Sequence, residues 1–207
     1  MDLEEVQHNS QPPSLLVVDE FYKDPDAIRE FALAQEYGSD LDYFKGLRSK
    51  ERFLFPWQRE EFSRLLGTPI TAWLEHGMNG VFQQTSQEDN LVWHHDGQDY
   101  AGAVYLNPDG GPEDGTSFWQ HIADGVRRKP THPYEVRRLE KYGPEAIKDA
   151  EASVYDPYNL EHPDSWQLVD QVAGIYNRLV LWDASLIHSA TSYVNGPRLV
   201  HLFFFDV

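Results

Sequence analysis

The chain has 207 residues, 41% hydrophobic and 14% aromatic with six Trp, enough for one substantial core plus a large insertion and too apolar for global disorder. Against 17 basic residues stand 34 acidic ones, and the net charge of −17 argues against general nucleic-acid binding and against an anionic membrane surface. There is no cysteine, which excludes disulfides and thiolate metal sites, so any metal must be held by His, Asp, Glu or solvent.

Met1-Asp2-Leu3-Glu4-Glu5 lacks the basic start and apolar run of a signal peptide. No apolar stretch approaches a membrane span, so the cytoplasm is the expected compartment. Residues 1–13 read as a frayed end, closing in Pro12-Pro13, and Leu15-Leu16-Val17-Val18 reads as a strand. Asp24-Pro25 starts a helix, with Asp24 as N-cap, Pro25 in the first helical position, and Ile28, Phe31 and Ala32 at helical spacing. A second helix is expected from Trp57 to Leu66, with Phe62, Leu65 and Leu66 inward. Thr68-Pro69 repeats the cap-then-proline signature ahead of Ile70, Trp73 and Leu74.

From residue 80 the periodicity shortens. Strand-like runs cover Val81 to Thr85, Leu91 to His94, Gly102 to Leu106, Thr116 to Trp119, Asn177 to Trp182 and Leu199 to Phe205. Polar turns such as Asn107-Pro108-Asp109-Gly110-Gly111 separate them. Helices first and short strands afterwards predict a mainly β jelly-roll barrel with flanking helices. One domain is expected over 1–207, with helical support at 1–79, a β core at 80–207 and an insertion at about 121–170. The insertion has a helical stretch from Pro144 to about Val154 and could serve as a lid over the site. It also carries Arg127, Arg128, Lys129, Arg137, Arg138 and Lys141, six of the 17 basic residues within 15 positions. They mark either a surface for an anionic ligand or a solvated face that offsets neighbouring carboxylates, the commoner case.

His94 and Asp96 lie in Trp93-His94-His95-Asp96-Gly97, and His188 lies far downstream in Leu186-Ile187-His188-Ser189-Ala190. In an extended chain residues i and i+2 share a face, so His94 and Asp96 can reach one ion while His95 points away. Gly97 would then let the backbone turn sharply. Two imidazoles and a carboxylate form the facial triad that holds non-haem Fe(II) with positions left open. A His-x-Asp pair alone equally fits a solvated loop with Asp96 capping a turn. Arg198, ten residues after His188, adds a cation where a dicarboxylate cosubstrate could be clamped.

With His94-His95-Asp96 come Tyr105-Leu106-Asn107, Gly110-Gly111, Thr116-Ser117-Phe118, Asn177-Arg178-Leu179-Val180-Leu181, His188 and Gly196-Pro197-Arg198. In this order and spacing the chain resembles the 2-oxoglutarate- and Fe(II)-dependent dioxygenases, nearest the prolyl-hydroxylase-like branch, over roughly residues 80–205. The resemblance implies a double-stranded β-helix with iron held by His94, Asp96 and His188 and the distal carboxylate of 2-oxoglutarate paired with Arg198. It implies consumption of O2, formation of succinate and CO2, and hydroxylation of an unactivated C–H bond in a small molecule, amino acid or peptide. Halogenating relatives lack the carboxylate at the position of Asp96. Val200 departs from relatives that carry Ser or Thr two residues after the arginine. In the strand before the triad Gln84 is the expected cosubstrate contact, next to Gln83. Tyr105 either touches the cosubstrate or serves the core, since strand alternation turns one of Val104 and Tyr105 inward. His95 and His201 are expected in supporting or structural roles, and Trp93, Trp119 and Trp182 in the core. The rival readings are a cupin-like metal enzyme that does not use 2-oxoglutarate and a non-catalytic barrel binding domain. The sequence carries no signal for an oligomeric state.

Overall fold

The computed structural model describes residues 11–39, 46–86, 92–191 and 197–207. The expected fraying of residues 1–10, and the positions of Leu91 and Gly196, lie outside them. Strand β1 (Leu15–Val18) leads to helix α1 (Pro25–Leu33), where Asp24 Oδ1 accepts from Ala27 N at 3.0 Å and Pro25 fills the first turn. Two short strands, β2 (Tyr37–Gly38) and β3 (Leu47–Ser49), precede helix α2 (Gln58–Leu66). Helix α2 stops at Gly67, whose φ of 70° favours glycine. Ala32, Phe62 and Leu66 are buried, whereas Phe31 is largely exposed.

The cap-then-proline signature at Thr68-Pro69 starts no helix. Ser63 Oγ accepts from Ile70 N, and Thr71 and Ala72 pair with Asp206 at the end of the last strand. Backbone donors needed for a helix are already committed to the sheet, which outweighs the local signal.

Two antiparallel sheets follow. The large one has the order β1-β8-β5-β10-β4-β3-β2, with β4 (Phe82–Thr85), β5 (Tyr100–Tyr105), β8 (Leu179–Asp183) and β10 (Arg198–Phe205) at its centre. The small one has the order β7-β6-β9, from β6 (Thr116–His121), β7 (Trp166–Val172) and β9 (His188–Ala190). Alternation sorts the large sheet's side chains. Val104, Leu179, Leu181, Leu199, Phe203 and Phe205 face the helices with Phe62 and Trp73. Ala103, Tyr105, Val180, Trp182, Val200 and Leu202 face the small sheet and meet Phe118 and Val172. Strands buried on both faces explain the nearly continuous apolar runs of β8 and β10.

The expected insertion is shorter than 121–170. Strand β6 runs on to His121, and β7 takes the last part into the small sheet. Between them lie helices α3 (Pro133–Leu139), α4 (Ala146–Val154) and α5 (Pro157–Glu161). Leu139, Ala150 and Val154 pack with Trp93, Trp166 and Ile187 in a third cluster on the outer face of the small sheet. Among the described residues no helix is long and apolar enough to cross a membrane.

Candidate metal centre

His94 and His188 meet as an isolated antiparallel bridge rather than within the strand expected up to His94. His188 N donates to His94 O at 2.8 Å and His94 N to His188 O at 3.1 Å, so the two residues are directly opposed and share a face. Two residues on, Asp96 N donates to Ala184 O at 2.8 Å, keeping the segment extended and returning the carboxylate to that face. The backbone bends after Asp96 as expected, but Gly97 is not required there: a Cβ would meet nothing within 4 Å and its φ is not left-handed.

Each ring is held by its own backbone. His94 Nδ1 lies 3.0 Å from Val92 O and His188 Nδ1 lies 2.8 Å from Leu186 O. A carbonyl only accepts, so both Nδ1 atoms carry the proton and both Nε2 lone pairs are left for a ligand. His94 Nε2 lies 3.8 Å from Asp96 Oδ1, and His188 Nε2 lies 3.4 Å from Oδ2, an ion-pair distance rather than a formed hydrogen bond. Asp96 Oδ2 is buried with no hydrogen-bond partner. Three acceptor atoms within 4.8 Å of one another, with no donor between them, fit a divalent cation.

The electrostatics agree. The ring of His94 is open to solvent on one side, but burial by the surrounding protein and the charge of His188 hold its pKa below the ordinary value. Burial pushes the Asp96 carboxyl up. The contact and charge of His188, then the charge of His94, outweigh it and bring the pKa below the usual carboxylate range. Low values on both residues keep the donors deprotonated near neutrality, the state a metal needs.

The residues between and beside the ligands point the other way. Trp93 and Ile187 enter the third cluster, Trp93 N donates to Leu160 O at 3.2 Å, and Ile187 N donates to Arg127 O at 2.8 Å. His95 also faces back, where Nδ1–H donates to Asp96 O at 2.9 Å and Nε2 accepts from the Tyr155 hydroxyl. The insertion therefore packs behind the segments that carry the triad. Three residues of its basic run have side-chain partners: Arg128 pairs with Asp183, Arg138 with Glu135 at 2.7 Å, and Arg127 Nε donates to Gln120 at 2.8 Å.

On the inner side Arg198 is 5% exposed and lies 5.2 Å from the Tyr105 ring centroid. Its Nε donates to Asp114 O at 3.0 Å and Nη2 to Gly115 O at 3.4 Å. The turn that offers these carbonyls needs Gly115, whose Cβ would stand 1.8 Å from Val172 O. Tyr105 faces inward with Arg198, its hydroxyl 2.8 Å from Thr116 Oγ1, and Val104 faces the helices.

Gln84 is a correction. It opposes Leu199, which faces the helices, so Gln84 lies on the far side of the sheet from Arg198 and bonds Tyr37. The inward residues of β4 are Gln83, opposite Val200, and Thr85, opposite Arg198. Arg48 opposes Gln83 and shares that inner face; burial lowers its pKa to about 10 while the Asp96 carboxylate acts the other way. Sequence reasoning missed this arginine because a three-residue strand carries no usable alternation. Trp182 lies 5.1 Å from the His188 ring, with its indole N–H buried and unpartnered. His201 faces the helices, bonded to the Tyr22 hydroxyl at 2.6 Å, and Asn177 holds both backbone polar groups of Tyr22 at 2.8 Å.

Known proteins bear on this geometry in two ways. A family model described as "Family of unknown function (DUF6445)" matches residues 1–195. No curated protein matches the sequence. HygX from Streptomyces hygroscopicus, crystallised with nickel, 2-oxoglutarate and hygromycin B bound, superposes with a TM-score of 0.51 at 15% identity, covering 93% of this chain and 82% of its own. SnoK, a non-haem alpha-ketoglutarate-dependent carbocyclase from nogalamycin biosynthesis, gives a TM-score of 0.51 at 15% identity over 100% of this chain and 84% of its own. The chain shares the fold of these two proteins.

Proposed function

The chain belongs to the DUF6445 family, and we propose that it is a non-haem Fe(II)- and 2-oxoglutarate-dependent oxygenase. The observation that carries the reading is the triad: two Nε2 lone pairs fixed by backbone carbonyls and an unpartnered carboxylate oxygen, converging within 4.8 Å. The strand order supports a double-stranded β-helix, because the His94 bridge extends the small sheet beyond β9 opposite the large one.

In this reading His94, Asp96 and His188 would hold the iron. Bound Fe(II) with 2-oxoglutarate and O2 supplies the oxidation, releasing succinate and CO2 while a C–H bond of the substrate becomes C–OH. Arg198 receives the distal carboxylate of 2-oxoglutarate. Its guanidinium is turned and held by the Asp114 and Gly115 carbonyls and the Tyr105 ring, so little ordering is left for binding. A charge-assisted contact of this kind contributes about 1.5–3 kcal/mol. Asp96 favours hydroxylation over halogenation. The substrate is a small molecule, amino acid or peptide; the −17 charge disfavours nucleic acid.

The test is an anaerobic titration of 2-oxoglutarate into Fe(II)-loaded protein, followed at the metal-to-ligand charge-transfer band, then aeration and assay of succinate. A saturable band with succinate on aeration is expected. Bound metal with neither band nor succinate transfers the chain to the cupin-like or binding-domain readings.

A further inference from the structure

We propose that Thr85 completes the cosubstrate's anion-binding site by donating its hydroxyl to the distal carboxylate that Arg198 clamps. The inference rests on the 2-oxoglutarate reading above. Val200 stands two residues after Arg198, where some relatives place a hydroxyl, and it is fully buried among apolar neighbours. The neighbouring strand supplies the missing group. Thr85 is the direct register partner of Arg198, and opposed residues of an antiparallel pair share a face with Cβ atoms about 4.5–5.5 Å apart.

Thr85 is 3% exposed, and its Oγ1 is buried with no hydrogen-bond partner. Buried hydroxyls are nearly always satisfied, so an orphan on the register partner of a buried arginine marks where an acceptor belongs. Its methyl is seated against Gly46, just before β3, where a Cβ would come within 2.4 Å of Thr85 Cγ2. Two neighbouring groups are already engaged. The Tyr105 hydroxyl already meets Thr116, and Arg198 Nε and Nη2 already donate to main-chain carbonyls. A carboxylate has about four acceptor positions, enough for a guanidinium and one hydroxyl together. Across-strand supply of the hydroxyl leaves position 200 free to be apolar.

Thr85→Val keeps the shape and removes the donor, which gives two effects of opposite sign. The Kd for 2-oxoglutarate in the anaerobic titration rises about ten- to a hundredfold, the loss of one charge-assisted hydrogen bond. The Tm of the metal-free protein stays level or rises, because an orphaned buried hydroxyl has become a methyl. Thr85→Ser brings the Kd back towards wild type. 2-Oxobutyrate keeps the keto-acid end and lacks the distal carboxylate, so its binding is the same in wild type and Thr85→Val. A 2-oxoglutarate Kd within twofold of wild type, or an equal loss for 2-oxobutyrate, overturns the role of Thr85 and leaves the oxygenase reading standing. Wild-type protein that takes up Fe(II) and develops no band with 2-oxoglutarate overturns both.

Discussion

The two faces of the ligand-bearing segments are built on opposite principles. In front, His94, Asp96 and His188 converge acceptor atoms with no donor among them, and Asp96 Oδ2 is left unsatisfied. Behind, Trp93 and Ile187 pack with Trp166, Leu139 and Val154 in an apolar cluster, with the Trp93 and Trp166 rings stacked 6.4 Å apart. One residue of strand alternation separates the two. The front is costly to the fold without a ligand, and the back offsets that cost by burying large aromatic surface. Binding geometry and stability can therefore be broken separately.

The sharpest break is at the front. His188→Ala removes one of three donors, and the expected outcome is complete loss of the Fe(II)·2-oxoglutarate charge-transfer band while far-UV circular dichroism and the Tm of the metal-free protein stay near wild type. Unfolding of that variant would show that the front also carries the fold and would erase the contrast. At the back the expectation reverses. Trp93→Ala empties a site that is 3% exposed and costs about 3–5 kcal/mol in chemical denaturation. A cost under about 1 kcal/mol would mean that the cluster does not support the ligand segment.

The helix side of the large sheet adds a third environment, a buried polar group fully committed to structure. Burial pushes the His201 pKa down to about 3, with the Gly80 and Phe53 carbonyls acting the other way. The folded ring is thus neutral, accepting from Tyr22 and donating to Gly80 O, while the unfolded ring takes a proton near pH 6.5. Its contribution to stability is fully present above about pH 6.5 and is lost as pH falls towards about 3, by about 1.4 kcal/mol per unit. Urea denaturation of wild type and His201→Gln at pH 7, 6 and 5 isolates this slope. Equal slopes in the two proteins would remove His201 from the account.

Much of this contrast is legible in the sequence. The triad is readable because its front-facing phase is set by two residues of spacing, and α1 because Asp24-Pro25 states its own start. Strand β7 is not: five of its seven residues are exposed, so no buried alternation marks it, and it disappears into the polar insertion. The phase of Phe82-Gln83-Gln84-Thr85 is equally hidden, since either glutamine can face inward until pairing with β10 decides it. That one undetermined phase separates Gln84 from Thr85. The insertion's position is illegible for a different reason. Val126, Leu139 and Val154 are too far apart in sequence to show that they share a face.

The smallest effect decides whether the insertion is a buttress. Tyr155, after the last turn of α4, donates to His95 Nε2, and His95 sits between two ligands in the chain. Burial lowers the His95 pKa, with the hydrogen bond to Asp96 O raising it and the charge of Lys129 lowering it, so the ring accepts from the phenol at neutral pH. Tyr155→Phe deletes this single tie. A net cost of about 1 kcal/mol is expected, a Tm loss of about 2–4 °C. The tie also anchors His95, the residue between His94 and Asp96. Iron affinity should therefore weaken several-fold, less than the ten- to a hundredfold typical of groups bonded directly to metal ligands, while the 2-oxoglutarate Kd at saturating Fe(II) stays unchanged. A lid would give the reverse, because closure over bound cosubstrate alters its dissociation without moving the metal. Weaker 2-oxoglutarate binding at unchanged iron affinity would place α4 in front of the site and invert the comparison of the two faces.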